Sequence, residues 1–307
     1  LARTLTPIRA AFKEEAIFLR SYGYTQQAIA DALGLPRTTV ETWLIPVNHI
    51  SKPPDGMAYT VNMDRYSPDD NSAPSIRLLE GKYEDVAGQI TPQSIDLILT
   101  DPPYLVSKNA DMKRANQAPL TRNFGTWDHL TPAAYQVEHW AQLMATQLKP
   151  GGSLYLFVGR AQLGRWTAAL TSTGLEERNF LVWHRTNPAP QIRQTAWAEA
   201  YDLILFFTQG TPTYFQWLGQ NEMHSVIAGG ITQGLERTWH PTQKPAWLLS
   251  KLIAVSSKPE DIVLDPFAGS GSTGFVAAGK HRQAILVEPS AKYIGLIKDG
   301  IQNGVGG

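Results

Sequence analysis

The sequence predicts an α/β protein: one doubly wound, mixed but mostly parallel sheet, with a small helical module ahead of it. Three observations carry this. From Ile76 onward, short continuous apolar runs recur, as expected of strands covered on both faces. Helix-length segments alternate with those runs. Residues 51–75 are rich in Pro, Asp, Asn and Ser and read as a linker, separating the main domain from a helical stretch at 1–50.

Taken in order, strands are expected at 76–79, 95–100, 153–158, 180–183, 203–208, 262–264 and 284–287. Helices are expected at about 133–148, 161–173, 244–256, 272–279 and 290–301. Thr131-Pro132 reads as the cap of the first helix, and Gly151-Gly152 as a break before the next strand. The domain runs over 76–303, with a short insert at about 209–239 that reads as a recognition element, and the last residues should fray. Such sheets bind ligands at the carboxyl ends of their strands.

Composition narrows the chemistry. The 307 residues hold 27 Lys+Arg against 27 Asp+Glu, and 43% are hydrophobic, an ordinary globular balance. With no cysteine, thiolate nucleophiles, cysteine-ligated zinc and iron–sulfur clusters are excluded. No metal site is expected. No apolar run approaches the roughly 18 residues of a membrane span, and the first residues lack the apolar core of a secretory signal. No membrane association and a cytoplasmic location are therefore expected.

Three motifs carry chemistry. In the first, the run Leu97–Thr100 delivers Asp101, Pro102, Pro103 and Tyr104 to a strand's carboxyl edge. The prolines fix φ and lack an N–H, leaving neighbouring carbonyls free as acceptors. An Asp oxygen and such a carbonyl can accept both hydrogens of a planar amino group, while the Tyr ring offers a stacking face. This suits an exocyclic amine on an aromatic base; the alternative is a strand-ending turn with a helix-capping Asp.

In the second, Asp265, Phe267, Ala268, Gly269, Ser270 and Gly271 follow the run 262–264, and glycines at a strand-to-helix turn let a ligand approach the backbone. Glu288 ends the next run, about 20 residues on, where an acid can accept from ribose hydroxyls. The glycine spacing alone would also suit a dinucleotide, and no P-loop lysine follows. The third is His240-Pro241-Thr242-Gln243-Lys244-Pro245, whose helix-opening N–H groups and Thr242 could hold a carboxylate, or which simply begins a helix.

Together these residues resemble the DNA amino-methyltransferases that methylate N6 of adenine or N4 of cytosine. Asp101–Tyr104 matches the catalytic tetrapeptide, and Phe267, Gly269 and Gly271 match the S-adenosylmethionine turn. His240, Thr242 and Lys244 fall in the His-Pro-Thr-x-Lys-Pro element, and Glu288 matches the ribose-binding acid. The order, catalytic motif first and cofactor motif last, is that of the permuted β group, and the likeness covers about residues 76–300. It extends to Phe124–Asp128, Tyr135, Trp140 and the stretch 183–190. One departure stands out: where the family commonly has Gly-Asp near the cofactor's adenine, this chain has Gly81-Lys82, with Tyr83 or Asp85 as the candidate stand-in.

The resemblance implies a class I methyltransferase-like sheet, S-adenosylmethionine as cofactor with S-adenosylhomocysteine as product, no metal, and a base flipped out of double-stranded DNA. Asp at the head of the tetrapeptide is more typical of N6-adenine enzymes, and Ser of N4-cytosine enzymes. A homodimer and a cognate restriction enzyme are further partners it admits.

For DNA, residues 105–123 carry Lys108, Lys113, Arg114 and Arg122 against Asp111, a local charge of +3 suited to phosphates. Residues 24–44 resemble a helix-turn-helix: Thr25 caps the first helix, Gly34 turns the chain, and Arg37, Thr38 and Thr39 open the recognition helix. A helical hairpin packed on the catalytic domain is the plainer alternative, and the net +1 of residues 1–50 adds little. The competing functions are a DNA-binding regulator that kept the fold without activity, and a methyltransferase acting on RNA or a protein amide.

Overall fold

The computed structural model describes residues 75–104, 136–188, 197–231 and 243–302, together with Ala30, Arg37, Thr38, Asp111–Met112, Leu120–Thr121 and Thr195. Two units divide the chain, Leu1–Asn71 and Ser72–Val305. In the first, Ala30 is helical and buried, and Arg37 and Thr38 are helical and exposed. The remaining residues of the predicted helix-turn-helix, Thr39 among them, lie outside the described residues.

The second unit alternates strands and helices in this order: β1 (Ile76–Glu80), α1 (Tyr83–Val86), β2 (Ile95–Thr100), β3 (Asp111–Met112), β4 (Leu120–Thr121), α2 (Val137–Gln147), β5 (Leu148–Val158), α3 (Leu163–Ser172), β6 (Glu176–Arg185), β7 (Tyr201–Thr208), β8 (Val226–Gly229), α4 (Ala246–Ser256), β9 (Ile262–Asp265), α5 (Ser272–Gly279), β10 (Gln283–Glu288) and α6 (Ala291–Gln302). Eight strands form one sheet in the order β1-β10-β9-β2-β5-β7-β6-β8. Its pairings are parallel except that β7 runs against both β5 and β6. The predicted mixed, mostly parallel doubly wound sheet is what forms.

Strand alternation sorts the core onto two faces. Ile98 of β2 and Leu154, Leu156 and Val158 of β5 join the cluster under α1, α2 and α3, with Trp140, Met144, Trp166 and Leu170. Their neighbours Leu97, Leu99, Tyr155 and Phe157 point the other way, onto Leu248, Leu249, Leu252 and Ile253 of α4. Burial on both faces is why these strands read as unbroken apolar runs. Tyr155 keeps its hydroxyl paired with Ser256 Oγ at 2.8 Å, and burial pushes that phenol's pKa up.

One local expectation is corrected, and one falls outside the described residues. Gly151-Gly152 does not precede a strand but lies inside β5, where the pairing with β2 jumps from Ile95↔Leu148 to Leu97↔Ser153. Gly151 has φ +79, and a Cβ there would lie 2.3 Å from Thr213 Cγ2, so the glycine permits an irregularity within the strand. Helix α2 begins at Val137, within the predicted span of about 133–148, and Thr131-Pro132, read as its cap, lie outside the described residues. Strand β8, inside the predicted insert, was not expected: four residues with alternating exposure are too short a signal.

Trp166 is fully buried on α3 and stacks on Trp140 of α2, with centroids 6.3 Å apart. Trp166→Ala is expected to destabilise the domain by about 3–5 kcal/mol, read as a melting midpoint lower by about 10 °C. Trp197→Ala, at a residue 97% exposed, should leave the midpoint nearly unchanged.

Candidate active site

The chain reverses its direction of travel across the sheet between β9 and β2. From β9 it proceeds outward to β10 beside β1, and from β2 it proceeds the other way to β5. The carboxyl ends of two neighbouring parallel strands therefore open onto one crevice at this switch point. Asp265 ends β9, and Thr100 followed by Asp101 ends β2. Thr100 donates its hydroxyl to Asp265 Oδ1 at 2.7 Å, joining residues 165 apart in sequence.

On the β2 side, Pro102 is buried and Asp101, Pro103 and Tyr104 are half-buried. Both Asp101 oxygens are engaged: the Tyr104 hydroxyl donates to Oδ1 and the Lys244 ammonium to Oδ2. Lys244 reaches in from just before α4 with a side chain only 9% exposed. Its Nζ lies over the Phe157 ring at 4.8 Å from the centroid and over the Tyr104 ring at 5.7 Å. Tyr104 is held from behind, its carbonyl accepting from Gln162 Nε2 at 2.5 Å. A Cβ on Gly159 would approach Gln162 Oε1 to 2.7 Å, so a side chain there would displace the Gln162 amide that holds Tyr104.

On the β9 side, Gly269 and Gly271 adopt φ +53 and +80, which turns the chain from the strand into α5. Gly271 has no room for a side chain either, since a Cβ would sit 2.9 Å from Ile297 Cγ1. Glu288, at the end of β10, accepts from Gly269 N at 2.9 Å and Ser290 N at 2.8 Å. Burial pushes its pKa up to about 7, against the pull of those two N–H groups. Asp265 is likewise pushed up to about 6 by burial, while hydrogen bonds from Thr100, Thr273 and Phe267 N favour its charged form. Phe267 packs edge-on against Trp140 at 4.9 Å and Tyr83 at 5.9 Å, and Ala268 N donates to Val287 O at 3.0 Å. Ala268 and Ser270 are buried in the turn.

The structure thus brings together Asp101, Pro102, Pro103, Tyr104, Lys244, Asp265, Phe267, Ala268, Gly269, Ser270, Gly271 and Glu288 at one edge of the sheet. Lys244, expected on the cofactor side, is paired with Asp101. His240, Thr242, Lys108, Lys113, Arg114 and Arg122 lie outside the described residues; β3 and β4, which pair antiparallel, bracket the sequence positions of Lys113 and Arg114. Lys82 is exposed ahead of α1. Tyr83, one of its two stand-ins, points into the core and donates to Gln147 Oε1 at 2.7 Å; Asp85 is exposed. Sequence reasoning missed Thr100, Phe157, Gly159 and Gln162. A glycine directly after a buried strand was the available hint for Gly159; Gln162 carried none.

The predicted insert at 209–239 divides. Strand β7 ends at the amino edge of the sheet, and there Gln216 N donates to Val255 O at 2.8 Å. Strand β8 then carries the chain back to the carboxyl edge at Gly229. At that edge Trp183 Nε1 donates to Gly229 O and Trp247 Nε1 to Gly230 O, each at 3.1 Å, while Asn187 Oδ1 accepts from Ile231 N at 2.8 Å. Among the described residues no group of three or more metal-ligating side chains occurs, and no helix is long and apolar enough to cross a membrane.

Known proteins agree with this geometry. The N6/N4 methyltransferase family, described as DNA methylase, matches residues 95–299. The type II methyltransferase M2.LlaDCHI of Lactococcus lactis subsp. cremoris is 30% identical over 249 residues, 76% of this chain and 88% of that one. Among solved structures, M1.HpyAVI in its complex with SAM aligns with a TM-score of 0.56 at 21% identity, over 74% of this chain and 99% of that chain. The PvuII DNA methyltransferase, cytosine-N4-specific, aligns at 0.58 and 18% identity, over 73% and 86%. These two likenesses show the shared sheet architecture. With the Asp101–Tyr104 tetrapeptide and the glycine turn side by side, the chain belongs to the N6/N4 DNA methylase family.

Proposed function

We propose that the protein is a site-specific DNA methyltransferase that transfers the methyl group of S-adenosylmethionine to N6 of an adenine flipped out of the duplex. The observation that supports this most is the Thr100–Asp265 hydrogen bond, which sets the tetrapeptide beside the glycine turn. The residues of the turn fit the cofactor: two left-handed glycines clear space for close approach, and a buried Glu288 is aimed where ribose hydroxyls could replace its backbone donors. Bound S-adenosylmethionine supplies an electrophilic methyl group on a sulfonium. The chain's own residues do the rest.

Tyr104 stacks on the flipped base, and Asp101 accepts a hydrogen of its amino group together with a carbonyl near Pro102. These acceptors favour a more tetrahedral nitrogen with an available lone pair and stabilise the positive charge that develops there. The amino proton leaves to water. No covalent intermediate is required, in keeping with a chain without cysteine. Adenine is favoured over the second reading, N4 of cytosine, because Asp rather than Ser heads the tetrapeptide. Lys108, Lys113, Arg114 and Arg122 supply phosphate contacts, and Arg37, Thr38 and Thr39 a second DNA-binding surface. Sequence reading falls to the part of the insert after β8, whose first residues, Gly230 and Ile231, lie at the carboxyl edge of the sheet, rather than to residues 210–225.

Incubating the protein with methyl-labelled cofactor and unmethylated duplex, then digesting to nucleosides, tests the whole reading. Label in N6-methyladenine is expected, and Asp101→Ala should abolish it while leaving cofactor binding intact. Label in N4-methylcytosine would correct the base, and an active Asp101→Ala enzyme would refute the mechanism. Removing residues 1–50 should weaken DNA binding in a mobility-shift titration more than it weakens cofactor binding.

Glu288 gives a pH dependence. Its carboxylate form is the better acceptor for ribose hydroxyls, and with a pKa of about 7 it is lost as pH falls. Cofactor affinity, measured by calorimetry, should therefore drop about tenfold from pH 8 to pH 6, and Glu288→Gln should flatten the profile. A flat profile in the unaltered protein would remove Glu288 from this role.

A further inference from the structure

Asp101 must offer an oxygen to the substrate amine, yet in the structure neither of its oxygens is idle. Tyr104 holds Oδ1 and Lys244 holds Oδ2, and the two holds differ in kind. Tyr104 is part of the same tetrapeptide, its carbonyl anchored by Gln162 at 2.5 Å, so its ring can rotate about its own side-chain bonds while the backbone stays put. Stacking on a base requires that rotation, and it would take the hydroxyl off Oδ1. Among the described residues, Lys244 has Asp101 as the carboxylate it pairs with. Its side chain is 9% exposed, its ammonium is seated over the Phe157 ring at 4.8 Å, and Phe157 is itself buried in β5. A buried ammonium needs a compensating charge, and Asp101 supplies it.

We infer that Lys244 is a positioning residue for Asp101: it retains Oδ2 throughout, fixes the plane of the carboxylate, and leaves Oδ1 as the single oxygen that Tyr104 covers in the free protein and the amine engages when the base enters. This rests on the methyltransferase reading above and goes beyond it, because it moves the lysine from cofactor binding to orienting the acceptor. It also accounts for Asp101 acting as a hydrogen-bond acceptor rather than a freely turning base. A carboxylate tied at one oxygen to a fixed cation presents the other in one direction, and a positioning effect of this kind falls on the rate more than on binding.

The test is single-turnover methyl transfer at saturating cofactor and duplex, run beside calorimetric cofactor binding, a DNA mobility-shift titration and a melting curve. Lys244→Met keeps the apolar stem against Phe157 and removes the donor. It should slow transfer on the order of tenfold to a hundredfold, with both dissociation constants within about twofold of the unaltered protein. Lys244→Arg, which keeps a cation, should recover much of the rate. Should Lys244→Met fail to fold, Lys244→Gln, a neutral donor of similar length, takes its place with the same expectation of a slowed rate. An unchanged rate in a folded variant, or weakened cofactor binding with the rate intact, would overturn the inference. If the unaltered protein transfers no methyl group to any duplex, it is the methyltransferase reading that fails, a result distinct from both.

Discussion

The site depends on one pairing: β9 and β2 lying side by side, parallel and in a single register. Leu97 faces Val263 and Ile98 faces Leu264, so Asp265 and Thr100 reach the same edge at the same height. Asp96 secures the opposite end, accepting from Ile262 N at 2.9 Å on β9 and from Lys149 at 2.7 Å on β5. A slip of one residue would turn every side chain of β2 to the other face, exchanging the two halves of the core. The hydrophobic layers thus enforce a register whose consequence is polar. Thr100 meets Asp265, and the Asp101–Tyr104 segment meets the glycine turn.

That arrangement costs stability. Asp265 and Glu288 are buried acids whose values rise from 3.8 to about 6 and from 4.5 to about 7. In that window the folded protein holds protons that the unfolded chain has released, so stability is greatest below the unfolded values and falls as pH rises through the folded ones. The penalty is on the order of a few kcal/mol. It is offset by burial elsewhere, where β2, β5 and β7 are covered on both faces. The hydrogen bonds from Thr100, Thr273, Gly269 N and Ser290 N limit it by stabilising the charged forms.

Much of this was readable beforehand because it is written in local patterns. Strands covered on both faces leave unbroken apolar runs, and seven such runs were found with ends differing by a few residues. The longest errors fall at β5 and β6, which extend outward into residues with polar or glycine character: the Gly151-Gly152 irregularity within β5, and the charged Glu176-Glu177-Arg178 start of β6. There, pairing with a neighbouring strand overrides the local signal. Strand β8 has only four residues and exists because Val182–Arg185 offers it a partner.

By itself the sequence determined the order of the motifs, the acids at the ends of β2, β9 and β10, the glycines of the turn after β9, and the absence of cysteine. These are properties of single positions and short spacings. The tertiary structure alone decided which side chains meet. It brought Lys244 to Asp101 across 143 residues, sent Tyr83 into the core rather than to the crevice, and set Gln162 behind Tyr104. Such meetings follow from strand order and helix packing, which depend on the whole chain's burial of apolar surface. No local spacing records them.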